Sequence, residues 1–93
     1  MAIDRRRILQ KIAGKRTVID HHLDQHIPKL ISKADRARLR YWHKEVNNYI
    51  SEMEDWAWQL SKNAEILSQA ATYRQRLGVL IAARLRELGE ESL

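Results

Sequence analysis

An all-α fold is what this sequence predicts, and three observations carry the prediction. Glycine and proline are scarce, at three and one of 93 residues, while Ala, Leu, Arg, Lys, Gln and Glu are abundant; that is helical composition. Apolar residues recur at i, i+3, i+4 and i+7 over long stretches. No stretch alternates apolar and polar residues for long enough to make a strand. The length suits a single helical domain over residues 1–93.

The first helix is expected over 3–13, where Ile8, Leu9, Ile12 and Ala13 share one side and Arg7, Lys11 and Lys15 the other. Gly14 is placed as its stop. A second short helix is expected after Thr17, which has capping-box spacing to Asp20. Its stripe is Ile19, Leu23, Ile27 and Leu30. Pro28 has no N–H to give and disfavours helical geometry at Ile27, so a break or kink is expected at 26–28.

The third helix is expected over about 33–60, opened by the capping-box pair Ser32 and Asp35. Leu39, Trp42, Val46, Tyr49, Ile50, Met53, Trp56, Ala57 and Leu60 then fall within an arc of roughly 120°. The fourth is expected over about 64–88, with Ile66, Leu67, Ala70, Tyr73, Leu77, Leu80, Ile81, Leu85 and Leu88 as its stripe and Gly89 as its stop. A continuous rod would rotate one stripe against the other by about 110°. A turn near Ser61-Lys62-Asn63, with Asn63 or Ser61 as N-cap, resolves this into a long antiparallel helical hairpin with two shorter N-terminal helices across it. Residues 90–93 are expected to fray.

Composition excludes several classes of function. With no cysteine there is no disulfide scaffold, Cys-based zinc finger, iron–sulfur site or Cys nucleophile. A hydrophobic fraction of 44% with charges of both signs argues against disorder. The longest apolar run is Val79–Ala83, far short of the roughly 20 residues of a membrane span. The opening Met-Ala-Ile-Asp-Arg-Arg-Arg lacks the apolar core of a secretory signal, so a cytoplasmic location is expected. There is no Gly-x-Ser-x-Gly, no phosphate-binding glycine loop and no dinucleotide fingerprint; catalysis is not expected, and no cofactor is implied.

Charge is uneven. Residues 1–46 hold twelve Lys/Arg against five Asp/Glu, and residues 47–93 hold five against seven. That asymmetry points to a polyanionic partner or to head-to-tail self-contact. Arg5, Arg6, Arg7, Lys11, Lys15 and Arg16, together with the ladder Arg36, Arg40 and Lys44, are the residues that would meet a phosphate backbone. Tyr41 lies off the apolar arc beside them and is placed to stack. A solvated basic face that binds nothing specific is the plain alternative.

Two long amphipathic helices expose more apolar surface than two short ones cover, so self-association is expected, with a dimer favoured. Trp58 falls about 160° from the core stripe, which is costly unless its own short helices or a partner cover it. Arg74 and Arg84 interrupt the stripe of the fourth helix and would either snorkel or pair with a carboxylate of the third helix, where Glu45, Glu52, Glu54 and Asp55 are available. These four residues, Trp58, Tyr41, Arg74 and Arg84, are the candidate protein-binding set. The expected function is therefore a non-enzymatic interaction module, with nucleic-acid binding by the basic half as the alternative. A third reading is metal binding by His22 and His26, whose i, i+4 spacing lets two imidazoles meet one ion. Asp20 and Asp24 lie well round the helix from that pair, so a third ligand would have to come from elsewhere, with His43 the nearest candidate by type; half-buried flank histidines are the plainer account.

Overall fold

A computed structural model describes residues 4–89. The chain is all-α: three long helices pack against one another, and no strand occurs among the described residues. Helix α1 spans Arg5–His21, α2 spans Arg36–Gln59 and α3 spans Ala64–Glu87. None is long and apolar enough to cross a membrane. The expected helix start at Ile3 and the tail at 90–93 lie outside the described residues.

The two short N-terminal helices are a single helix, which corrects the sequence-based expectation. Asp4 caps α1, its side chain accepting from the Arg7 amide at 3.1 Å. Gly14 does not end the helix: it is exposed, and the space around it is open. Its cost in a helix interior is about 1 kcal/mol, small against the burial of Ile8, Ile12 and Ile19 on one stripe. Thr17 does not cap; its hydroxyl donates back to the Ala13 carbonyl at 3.1 Å. Leu9, expected on the buried side, is exposed.

Lys15 is also corrected. Each i, i+4 step advances about 40° around a helix. The ladder Arg7–Lys11–Lys15 therefore drifts, and Lys15 arrives roughly 20° from Ile8. It faces α2, where its ammonium reaches Glu52 at 2.6 Å and lies 4.5 Å from the Tyr49 ring centroid.

At Pro28 the helix does break, as expected. His22–His26 form a π-helical turn, closed by the Ile27 amide donating to the His22 carbonyl, and Ile27–Lys29 form a short 3-10 turn. Pro28 offers no N–H, and its ring would collide with the Asp24 carbonyl in a regular helix; the widened turn avoids the collision. The α3 side chain Arg84 then donates to the Pro28 carbonyl at 3.1 Å.

The capping box before α2 forms as read. The Asp35 carboxylate accepts from the Ser32 amide and hydroxyl, each at 3.1 Å, and Arg38 donates to it at 2.9 Å. The Ser32 amide bond leads the causes that hold the Asp35 carboxyl below its usual range. Between α2 and α3, Asn63 caps, accepting from the Ile66 amide at 3.0 Å. The connection turns through Ser61 and Lys62, both with positive φ (60° and 56°) and neither a glycine. Replacing Ser61 by Gly is expected to stabilise the chain by roughly 0.5–1 kcal/mol, since glycine adopts this conformation without steric cost. A thermal melt that shows no gain for S61G would mean the turn carries no such strain. Gly89, φ 80°, closes α3 as expected.

The core is continuous. Leu39, Val46, Ile50, Met53 and Ala57 of α2 meet Ile66, Ala70, Leu77, Ile81 and Leu85 of α3, and Ile12, Ile19, Leu23 and Ile27 cover them. Trp42, Tyr49, Trp56, Leu67 and Leu80 are only partly buried at its margin. The radius of gyration is 14.9 Å, against about 12 Å for a compact domain of this length, and the extents are 51 × 18 × 18 Å. A rod of this shape keeps much of each helix at the surface.

Candidate functional site

The outward face of α3 is the most unusual surface of the molecule. Ser68, Ala71, Thr72, Gln75, Gly78, Val79 and Ala82 are all exposed, and none is charged. Between Glu65 and Arg84 the sequence has only two charged residues, Arg74 and Arg76, in a chain that is 31% charged. Both are turned to the helix flanks. Arg76 bonds Asp24 at 2.8 Å. Arg74 makes a bidentate pair with Glu54, at 2.7 and 3.0 Å, and donates to Asn47 at 3.1 Å and Ser51 at 3.2 Å. The Glu54 hydrogen bond pushes the Arg74 pKa further up, so the guanidinium is permanently charged.

Asn47, Ser51 and Glu54 stand at i, i+4 and i+7 of α2, so one guanidinium spans two turns of the facing helix. A slip of one turn between α2 and α3 would break all these bonds. Arg74 thus sets register within the chain. Arg84 is engaged likewise, with Pro28 and, at 2.7 Å, with Glu87.

Beside this face lies an apolar groove of about 440 Å³, lined by Leu23, Gln75, Arg76, Val79, Leu80 and Ala83. Val79 is 66% exposed at its edge. Gly78 sits next to it in the interior of α3, and a Cβ there would meet nothing. Nothing in the chain's own packing therefore calls for glycine at a position where alanine would be worth about 0.5–1 kcal/mol more.

The exposed aromatics of the candidate set lie elsewhere. Trp58 is 57% exposed near the end of α2, with the Lys62 ammonium 4.9 Å from its ring. Tyr41 is exposed near the start of α2 and meets Trp42 edge-on at 5.1 Å.

The basic residues do not form one surface. Leu9, Ile12 and Arg16 line a small cleft with Asn63, Glu65 and Ile66, so the start of α1 lies at the turn between α2 and α3. His22 stacks on Trp42, so the end of α1 lies near the start of α2. Arg5, Arg6, Arg7 and Lys11 are accordingly at one end of the rod and Arg40 and Lys44 at the other, with Arg36 half-buried there. Arg16 and Asp20 both reach the Tyr73 phenol, whose pKa is raised by burial first and then by its hydrogen bond to Asp20.

At the π-helical turn, His22 and His26 point the same way, and their Nδ1 atoms are 2.9 Å apart. The His22 ring stacks on Trp42 with centroids 4.4 Å apart and planes 29° from parallel, and His26 meets the same indole edge-on at 4.9 Å. Burial, then the neighbouring imidazoles, push both pKa values down from the ordinary value of 6.5. The rings therefore stay neutral to lower pH than free histidine, with one donating and the other accepting. Among the described residues no group of three His, Asp or Glu side chains converges, so neither His43 nor the two aspartates complete a ligand shell.

No family model, curated protein or solved structure matches this chain. The uncharged α3 face was missed by periodicity, which looks for where apolar residues cluster. The gap in charge from Ile66 to Ala83 was the signal that could have found it.

Proposed function

We propose that this chain is a non-enzymatic interaction module that self-associates through the outward face of α3. In this reading α2 and α3 form an antiparallel hairpin, its inner faces build the core, and the back of α3 packs on the same face of a second copy. The observation that carries the reading is the face of exposed, uncharged and mostly small residues between Ser68 and Ala82, which includes Gly78. Small side chains let two helices approach to the short end of the usual 8–10 Å range. The glycine that costs the monomer helix stability is then offset by contact in the dimer.

The test is the mass in solution. Light scattering or sedimentation at micromolar concentration is expected to give twice the mass of one chain, and a monomer would overturn the reading. Replacing Gly78 by Ala is expected to separate two effects. Folding stability of the single chain rises by about 0.5–1 kcal/mol, while association weakens because the added methyl holds the helices apart. A gain in stability with no change in association would remove Gly78 from the interface.

A second reading has one observation in its favour. Lys29, Lys33, Arg40, Lys44 and Arg86 are all exposed towards the end of the rod where α2 begins and α3 ends. Tyr41 is exposed among them. A basic pole of this kind suits a polyanion such as nucleic acid. Retention on heparin or mixed nucleic acid that falls steeply with salt, from a chain of monomeric mass, would favour this reading over self-association.

A further inference from the structure

The imidazole pair has a geometry that its hydrogen bond alone does not exhaust. In a π-helical turn, residues four apart are more nearly eclipsed than in an α-helix, which brings His22 and His26 over one another. Such turns recur at functional sites. Trp42 supports both rings from α2, one face-on and one edge-on, and Tyr49 lies 6.1 Å from His22. The two Nδ1 atoms are thus held together by packing from a second helix, and little ordering remains to be done on binding.

We propose that His22 and His26 form a bidentate site for a divalent first-row cation of the copper(II) or nickel(II) type, with water completing its coordination. The separation is short enough for both nitrogens to reach one ion. Metal–imidazole bonds are about 2.0–2.1 Å, so nitrogens 2.9 Å apart subtend an angle of about 90° at the ion. That is the angle between adjacent ligands of a tetragonal or octahedral complex, which copper(II) and nickel(II) prefer.

Binding needs both Nδ1 lone pairs. The ring that donates the hydrogen bond must carry its proton on Nε2 instead, and the ion takes the place of the Nδ1 proton. Between two neutral rings this is a change of tautomer, with no net proton released. Two protein ligands make an exchangeable site, and copper(II) stands highest in affinity among these ions.

The experiment titrates the chelator-stripped full chain with copper chloride at neutral pH. Calorimetry is expected to give a single ion per chain. The copper electron paramagnetic resonance spectrum is expected to show directly bound imidazole nitrogen, and tryptophan emission to fall because Trp42 touches both rings. H22Q and H26Q are each expected to weaken binding at least about tenfold, since losing even an outer-shell partner costs that much. H43Q is expected to change nothing. Failure of the wild type to bind overturns the proposal. So does equal affinity in all three variants, which would mark the ion as adventitious. Should a variant lose its helical circular dichroism, the wild-type spectrum decides alone: absence of bound imidazole nitrogen overturns the site. None of these outcomes bears on the α3 face.

Discussion

Replacing Val79 by Lys is expected to leave the chain folded and to abolish the proposed self-association. Val79 is two-thirds exposed, so the monomer gives up almost no buried area, and lysine is a good helix former. At the centre of a helix–helix contact the same ammonium would be stripped of water with no carboxylate to meet it. The α3 outer face has none from Ser68 to Ala82, and Asp24 is already held by Arg76. An uncompensated charge buried in this way costs about 3–5 kcal/mol, which is on the order of a hundredfold or more in dissociation constant. Sedimentation of V79K beside the wild type checks this, with circular dichroism as the folding control. A variant that associates as tightly as the wild type would place the contact elsewhere, with Trp58 the next surface to substitute.

Replacing Ile50 by Ala carries the largest expected cost to folding. Ile50 is fully buried at the middle of α2, packed in the core shared with α1 and α3. Truncation removes three carbons and leaves a cavity that helices on both sides cannot easily fill. The expected loss is about 3 kcal/mol, within the 2–5 kcal/mol seen for such changes. For a small domain that is a large part of the whole stability. Denaturant unfolding of I50A should show a lower midpoint with an unchanged slope. A shift below about 1 kcal/mol would mean that the core around Ile50 is far looser than its burial implies.

The two experiments probe separate links of the chain from sequence to function. Ile50 belongs to the inner stripe that makes the three helices one body. Val79 belongs to the outer stripe that the body leaves open. Arg74 lies between them, spending its guanidinium on Asn47, Ser51 and Glu54, so that α3 sits in one register and always turns the same residues outward.

Much of this was legible in the sequence because it depends on neighbours a few residues away. The stripes of α2 and α3 come from a 3.6-residue period, the Ser32–Asp35 box and the Asn63 cap from spacings of three, and the break at Pro28 from a missing N–H. The site was less legible. Arg74 was read as an oddity of the stripe with four carboxylates of the facing helix within reach, Glu45, Glu52, Glu54 and Asp55; which of them it meets, and its two further bonds, depend on helix register. Lys15 was read as solvent-facing because a ladder of i, i+4 cations looks straight on paper and winds on a helix.

By itself, then, the sequence determined that the chain is helical, where α2 and α3 begin and end to within a few residues, and which of their faces turn inward. Those properties follow from local backbone preferences and from the side-chain period. Only the tertiary structure decided that α1 runs unbroken through Gly14, that the two basic segments lie at opposite ends of a 51 Å rod, and that His22 and His26 meet over Trp42. These are matters of which helix lies beside which and in what register. They are settled by the summed burial of faces distant in sequence, which outweighs the small local cost of a glycine or a widened turn.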